Sequence, residues 1–166
     1  MFGKNIVISQ YIEPSGSLKI VDLFYTIQGE GPYNGMPSVF VRLAGCNLRC
    51  SWCDTDFETG AKVRELGNLI EPIQVAANHR TKLVVITGGE PLLQNIVPLI
   101  KELTRRQYRV QIETAGTIWV PLLEECDITL VCSPKTGKVN KEILIRCKHC
   151  KYVVGMGDTV TEEGHI

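Results

Sequence analysis

Three cysteines, Cys46, Cys50 and Cys53, lie within eight residues of one another in the run GCNLRCSWCDT. This spacing constrains the fold more than any other feature, because it indicates a single loop that holds an iron–sulfur cluster. A cuboidal 4Fe–4S cluster normally takes four thiolates, one for each iron. Because the loop has three cysteines at this spacing and no fourth, one iron is left free to bind another molecule.

Structural zinc is the alternative for cysteines at such short spacing, and it is typical of paired C-x-x-C sequences. The candidate second pair is Cys147 and Cys150, which lies far along the chain between a predicted helix and a predicted strand. Three of four zinc ligands in one loop is an unusual arrangement, so the pattern favours the iron–sulfur interpretation. The Cys147 and Cys150 pair is interpreted as two reduced cysteines.

Composition limits the remaining choices. A chain of 166 residues is long enough for one domain, which we predict to span residues 1–166. Lysine plus arginine and aspartate plus glutamate number 18 each, so no net charge favours nucleic acid or an anionic membrane as a partner. The sequence shows no signal peptide and no apolar run of about 18 residues. We therefore expect a cytoplasmic protein whose seven cysteines are reduced.

The pattern of apolar residues predicts strands alternating with helices. The predicted strands are residues 6–8, 18–24, 38–43, 82–87, 109–113, 127–132 and 151–154. The predicted helices are residues 72–79, a segment capped by Asn95 with Ile96, Leu99, Ile100 and Leu103 on one face, residues 119–125, and a segment near Glu142. Such alternation indicates a parallel α/β sheet, in which ligands gather at the carboxyl ends of the strands. We therefore expect loops 46–54, 87–91, 113–116 and 133–135 to meet at one rim.

The cysteine spacing, with Trp52 just before the last cysteine, resembles the signature of the radical S-adenosylmethionine (SAM) superfamily. Residues 87–91, TGGEP, resemble the second motif of that superfamily, which receives the methionyl amino group. The resemblance implies that SAM chelates the open iron and that an electron from the cluster cleaves it, giving a 5′-deoxyadenosyl radical that abstracts hydrogen from the substrate. It also implies an incomplete (β/α) barrel of parallel strands.

Five segments narrow the resemblance to the 7-carboxy-7-deazaguanine synthase family. They are residues 24–32, 40–45, 52–55, 113–116 and 133–135. The resemblance implies a carbon–nitrogen lyase of queuosine (7-deazapurine) biosynthesis that converts 6-carboxy-5,6,7,8-tetrahydropterin to 7-carboxy-7-deazaguanine with loss of ammonia. It further implies a homodimer and a flavodoxin- or ferredoxin-like electron donor.

The same resemblance assigns residues to each ligand. Cys46, Cys50 and Cys53 would hold the cluster, and Thr55 would contribute to a Mg²⁺ site. SAM would contact Ser51, Trp52, Cys53, Asp54, Gly89, Glu113, Ser133, Pro134 and Lys135. The substrate would contact Ile27, Gln28, Gly29, Glu30, Arg42 and Thr87.

Elementary chemistry supports the substrate assignment. The edge of a pterin needs amide-type donors and acceptors, and its carboxylate needs a cation such as a bidentate arginine. Arg42 lies within an apolar predicted strand, where an unpaired charge is costly.

The chain is short for this family, whose members usually continue well past the last predicted strand. Thr159 and Glu162 resemble a capping box that opens a further helix. We expect either a fragment or a shortened member that borrows the missing wall from a partner subunit.

Two other functions stay open at this point. One is a radical SAM activase that generates a glycyl radical on a partner enzyme, and the other is a zinc-stabilised binding protein. The turn at residues 28–31, Arg42 and the pair Asp54 and Thr55 count against the activase.

Overall fold

The computed structural model describes residues 7–8 and 16–154, and these form a seven-stranded sheet with helices. The strands are β1 (Ser17–Ile27), β2 (Pro37–Leu43), β3 (Lys62–Glu65), β4 (Leu83–Gly88), β5 (Arg109–Thr114), β6 (Thr129–Cys132) and β7 (His149–Cys150). Their order across the sheet is β3-β1-β2-β4-β5-β6-β7. The sheet is unclosed, with β3 and β7 at its two edges, and is thus the expected incomplete barrel.

The five strands from β2 to β7 run parallel, as expected, but β1 is antiparallel to both β2 and β3. The predicted parallel sheet is confirmed for these five strands, and β1 and β3 form an antiparallel edge beside it. Only a short turn, which contains the 3₁₀ segment Gly31–Tyr33, separates β1 from β2. A parallel pair needs a crossover of about a dozen residues or more, so a short turn dictates a hairpin. Strand β3 is exposed and polar, and the apolar pattern did not predict it.

Alternate residues of the strands face opposite sides of the sheet. Val39, Val41 and Leu43 of β2 belong to the main hydrophobic core, together with Ile73 and Leu99 from the helices. The intervening residues of β2, and their register partners on β4 and β5, face the other side. This inner face carries the polar residues discussed below.

The helices are α1 (Ile70–Ala77), α2 (Val97–Arg105) and α3 (Lys141–Arg146). The N-cap position of α2 is Ile96 and not Asn95 as predicted. Pro98 lies in the first turn of the helix, as expected. The predicted helix over residues 119–125 is a 3₁₀ helix, Pro121–Glu125, which begins at its proline. Two further 3₁₀ segments are Leu66–Asn68 and Pro91–Leu93. None of the helices in the described ranges is long and apolar enough to cross a lipid bilayer.

The two terminal strand predictions have different outcomes. The strand predicted at residues 151–154 is wrong, because the last strand within the described residues is His149–Cys150, which begins two residues earlier. Near the amino terminus, Val7 forms an isolated bridge with Cys46, which agrees with an extended segment there. Ile6 and the proposed capping box lie outside the described residues.

Candidate active site

An open cavity of about 310 Å³ lies at the carboxyl ends of the parallel strands. The four loops that the sequence predicts to converge all contribute to its wall. The predicted site residues that line the cavity are Glu30, Arg42, Cys46, Cys50, Trp52, Cys53, Asp54, Thr55, Thr87, Gly89, Glu113, Ser133 and Lys135. Convergence on one rim is therefore observed, although the role of each residue stays a prediction.

The three thiols of the cysteine loop are free and face this cavity. Burial raises the pKa of Cys46 to about 11, and burial also raises that of Cys50, with Cys53 adding to the effect. Metal binding therefore has to displace protons from these thiols.

The donor set fits a 4Fe–4S cluster with one open iron, because three thiols and no fourth cysteine of the described residues line the cavity. Within residues 7–8 and 16–154, no group of three or more His, Cys, Asp or Glu side chains is already placed to hold a metal ion. Cys147 and Cys150 are not among the residues that line the cavity, so they do not complete a zinc site with the loop.

Two glycines let β4 approach the cysteine loop closely. A Cβ atom on Gly88 would lie 2.1 Å from the carbonyl oxygen of Leu43. The backbone φ angle of Gly88 is 137°, which also favours glycine. A Cβ atom on Gly89 would lie 2.1 Å from the carbonyl oxygen of Gly45 and 2.8 Å from Cβ of Cys46. The backbone after β4 is thus fixed against the backbone that leads into the first cysteine, which leaves bare peptide groups beside the thiols.

Glu90, the next residue, is fully buried and ties this loop to the loop after β5. Its carboxylate accepts hydrogen bonds from Thr114 Oγ1 at 2.8 and 2.9 Å, from the backbone N–H of Ala115 at 2.8 Å and from that of Leu92 at 3.1 Å. Burial raises the pKa of Glu90, while these hydrogen bonds oppose the rise. Sequence reasoning missed this anchoring role, which depends on the distant residue Thr114.

A row of polar side chains crosses the inner face of the sheet. Arg42 on β2 is the register partner of Thr87 on β4, and Thr87 Oγ1 donates to Glu113 on β5 at 3.0 Å. Glu113 also accepts from Gln28 at 2.9 Å and from Gln111 at 3.3 Å. Burial raises the pKa of Glu113. The row therefore has a cation at one end and a carboxylate at the other.

An ion pair also borders the cavity. The ammonium group of Lys151 contacts the carboxylate of Glu30, and both residues line the wall. The backbone N–H of Glu30 donates to Gln28 Oε1 at 3.1 Å, which joins this pair to Glu113 through the Gln28 amide. Gln28 itself is buried behind the wall.

A cationic and an oxygen-rich segment complete the site. The ammonium group of Lys135 lies 5.3 Å from the centre of the Trp52 ring and contacts the Ser133 hydroxyl. Burial lowers the pKa of Lys135. Thr55 Oγ1 donates to Asp54 Oδ1 at 2.9 Å, which brings together two oxygen donors of the kind that Mg²⁺ prefers.

Some predicted residues lie away from the cavity wall, and some wall residues were not predicted. Besides Gln28, the predicted residues outside the wall are Ile27, Gly29, Ser51 and Pro134. The unpredicted wall residues are Phe40, Leu48, Phe57, Gly88, Thr114, Ala115, Lys151 and Val153. Phe40, Gly88, Thr114 and Ala115 lie within recognised motifs and could have been found there. Lys151 had no such signal, because it was placed in a strand.

Comparisons with known proteins agree with this geometry. The sequence profile of the Radical SAM superfamily matches residues 40–146. The chain is 47% identical over 164 residues to the 7-carboxy-7-deazaguanine synthase of Rhodospirillum rubrum, covering 99% of this chain and 70% of that protein. It is 38% identical over 164 residues to the synthase of the same name from Rickettsia prowazekii, covering 93% and 69%. The crystal structure of QueE from Escherichia coli matches with a TM-score of 0.74 and 28% identity, over 84% of this chain and 72% of that one.

Proposed function

The chain belongs to the 7-carboxy-7-deazaguanine synthase family of the radical SAM superfamily, and from this membership we propose that it converts 6-carboxy-5,6,7,8-tetrahydropterin to 7-carboxy-7-deazaguanine with loss of ammonia. The enzyme is a radical SAM lyase that uses a 4Fe–4S cluster and SAM. The observation that carries the proposal is that the three thiols and the row Arg42–Thr87–Glu113 line one cavity.

The thiolates of Cys46, Cys50 and Cys53 hold the cluster in this proposal. When bound, the cluster and SAM supply the one-electron chemistry that starts the reaction. The loop takes no further ligand from Cys147 or Cys150, so a coordination position stays open for SAM. This part of the site needs only the three side chains to lose their protons and turn to a common centre.

SAM binds in the proposal between the cysteine loop and the loops after β4 and β6. The peptide groups at Gly88 and Gly89 carry no side chains, and the proposal places the methionyl part of SAM against them. Ser133 and Lys135 contribute a hydroxyl and a cation, and the Trp52 ring orients the ammonium group of Lys135.

The substrate binds along the polar row. Arg42 takes part in none of the ion pairs found among residues 7–8 and 16–154, so its guanidinium group is free for the substrate carboxylate. At the other end of the row, the carboxylate of Glu113 accepts hydrogen bonds, as the N–H groups of a pterin require. Thr87 bridges the two and fixes Glu113.

Three finer features belong to the same proposal. Asp54 and Thr55 help to hold a Mg²⁺ ion that also contacts the substrate. The enzyme is a single-domain, cytoplasmic homodimer, and a flavodoxin- or ferredoxin-like protein delivers its electrons. Family resemblance supports these features, and the adjacent oxygen atoms of Asp54 and Thr55 support the metal. Sedimentation velocity and the effect of Thr55→Val on the Mg²⁺ requirement test the dimer and the ion.

The test of the function is anaerobic reconstitution with iron and sulfide, followed by incubation with the carboxypterin, SAM and dithionite. We expect the pterin to disappear and the deazapurine to appear by liquid chromatography and mass spectrometry, with no partner protein added. A Cys50→Ser variant, which lacks one cluster ligand, is the matched control and should be inactive. Cleavage of SAM without any conversion of the pterin would overturn the proposal. It would favour the alternative function, a radical SAM activase.

A further inference from the structure

Lys151 forms part of the cavity wall, and none of the roles proposed above involves it. It follows β7 directly, and its backbone N–H donates to the carbonyl oxygen of Cys132 at 2.8 Å. The backbone is thereby anchored beside Ser133, which also lines the cavity. The ammonium group, with 41% of the side chain exposed, reaches the Glu30 carboxylate across the opening.

Glu30 is held from two directions. Its backbone N–H is fixed by Gln28, whose amide nitrogen in turn donates to Glu113 at 2.9 Å. Its side chain has Lys151 as the ion-pair partner. The Glu30 charge adds to the burial that raises the pKa of Glu113, and Lys151 opposes that rise, which shows that the three groups lie close together.

Two carboxylates on one wall suit a donor-rich ligand edge. The pyrimidine edge of a pterin carries an amino group and a ring N–H, and two acceptor groups can bind such donors side by side. Glutamate has a flexible side chain, so a carboxylate at the cavity mouth needs a partner to hold its orientation. Lys151 is placed to supply that partner.

On the basis of the proposed function, we infer that Lys151 is a positioning residue that holds the Glu30 carboxylate toward the amino edge of the pterin. Arg42 at the opposite end of the polar row would then receive the substrate carboxylate. Together, the two ends set the direction in which the substrate lies.

The experiment compares Lys151→Met, Lys151→Arg and Glu30→Gln in the reconstituted enzyme. We expect Lys151→Met to raise KM for the carboxypterin about fivefold, the size expected when one partly exposed ion pair is lost, with little change in kcat. Lys151→Arg should restore most of the affinity. The double variant Lys151→Met, Glu30→Gln should be no worse than Glu30→Gln alone, because the two residues act as a unit.

A substrate analogue that lacks the pterin amino group provides a readout that a purely structural role would not move. The wild type should discriminate against this analogue, and Lys151→Met should discriminate less. Lys148→Met, which changes an exposed lysine three residues away, is the matched control and should behave as the wild type.

Either of two results would overturn the inference: unchanged discrimination in Lys151→Met, or additive effects in the double variant. If Lys151→Met does not fold, Lys151→Arg and Glu30→Gln still test the coupling. If the wild type itself does not convert the carboxypterin, the proposed function fails and not this inference alone.

Discussion

Arg42 is the residue to which the proposed function assigns the substrate carboxylate. It lies half-buried on β2, with its guanidinium carbon 5.8 Å from the centre of the Phe24 ring. A buried or half-buried cation normally has a carboxylate partner. None of the ion pairs within the described ranges involves Arg42, which supports the proposal that an anionic group of the substrate binds there.

Replacing Arg42 tests that explanation. We expect Arg42→Met to raise KM for the carboxypterin about 10- to 100-fold, since hydrogen bonds to charged groups contribute about 1.5–3 kcal/mol. Binding of SAM to the loaded enzyme should stay within about twofold of the wild type. Steady-state kinetics and equilibrium binding measure the two effects. Arg80→Met, at an exposed position, is the control, and equal losses in both variants would contradict the assignment.

Glu113 gives a prediction about pH. Burial raises its pKa in the folded protein, so the stabilisation that depends on its proton is complete below the ordinary glutamate pKa. That stabilisation is lost as pH rises through the raised value. We therefore expect Glu113→Gln, which is always neutral, to gain stability relative to the wild type as pH rises above the ordinary glutamate pKa of about 4.3.

Thermal melts of the cluster-free protein across this pH range measure the effect. Glu125→Gln is the control: the Lys101 hydrogen bond lowers the pKa of Glu125, so this carboxyl is ionised in both the folded and the unfolded protein above the ordinary glutamate pKa, and its difference from the wild type should stay nearly constant there. A stability difference for Glu113→Gln that does not vary with pH would show that the carboxyl group titrates normally.

At the scale of elements, one buried carboxylate joins two loops. Glu90 lies two residues beyond β4, Thr114 is the last residue of β5, and Ala115 follows it. The hydrogen bonds from Thr114 and Ala115 to the Glu90 carboxylate hold the two strand ends at a fixed separation. The Gly88–Gly89 turn is held on its other side by the backbone after β2. Three neighbouring strands therefore present their carboxyl ends as one rigid rim.

Removing the Glu90 carboxylate should loosen that rim. We expect Glu90→Ala to lower the free energy of unfolding by about 3 kcal/mol, because it leaves buried donors unsatisfied. Chemical denaturation of the cluster-free protein measures this. Glu71→Ala, at an exposed position in the first turn of α1, should cost less than about 1 kcal/mol. Similar losses in the two variants would refute the anchoring role.

The close approach at Gly89 yields a separate prediction. In Gly89→Ala the added Cβ would meet the carbonyl oxygen of Gly45 at 2.1 Å, so the cysteine loop must move. We expect lower iron content after reconstitution and a stability loss of about 3 kcal/mol, at the upper end of overpacking costs. Gly67→Ala, where nothing lies within 4 Å of the added atom, should load iron normally. Normal loading of Gly89→Ala would count against this geometry.

At the scale of the whole molecule, the unclosed sheet leaves its inner face open to ligands. The helices cover the other face, so the core is complete without any ligand. The site, by contrast, carries half-buried charges that face a cavity. Ligands should therefore stabilise the rim more than the core.

Ligand binding should be visible in the overall stability. We expect SAM at about 100 times its Kd to stabilise the cluster-loaded enzyme by about 2.7 kcal/mol. Anaerobic thermal melts with and without SAM measure the shift. A variant with all three loop cysteines changed to serine should show no shift, and a shift of equal size in that variant would mean that SAM binds without the cluster.

The sequence alone determined the parts of this protein that depend on local spacing. Three cysteines within eight residues predict a cluster loop, TGGEP after an apolar run predicts a strand end without side chains, and Arg42 within a strand predicts an anion. The parallel strands followed from their apolar runs, and the convergence of the loops followed from parallel topology. Each of these depends on neighbours along the chain or on a general rule of sheets.

Only the tertiary structure decided which distant residues meet. Lys151 and Glu30 are 121 positions apart, and no pattern in either segment shows that the chain brings them together. The antiparallel β1, the polar edge strand β3 and the anchoring of Thr114 by Glu90 likewise depend on the path of the chain. The physical reason is that backbone propensity and apolar periodicity act over a few residues, whereas a contact across the sheet is fixed by the packing of the whole molecule.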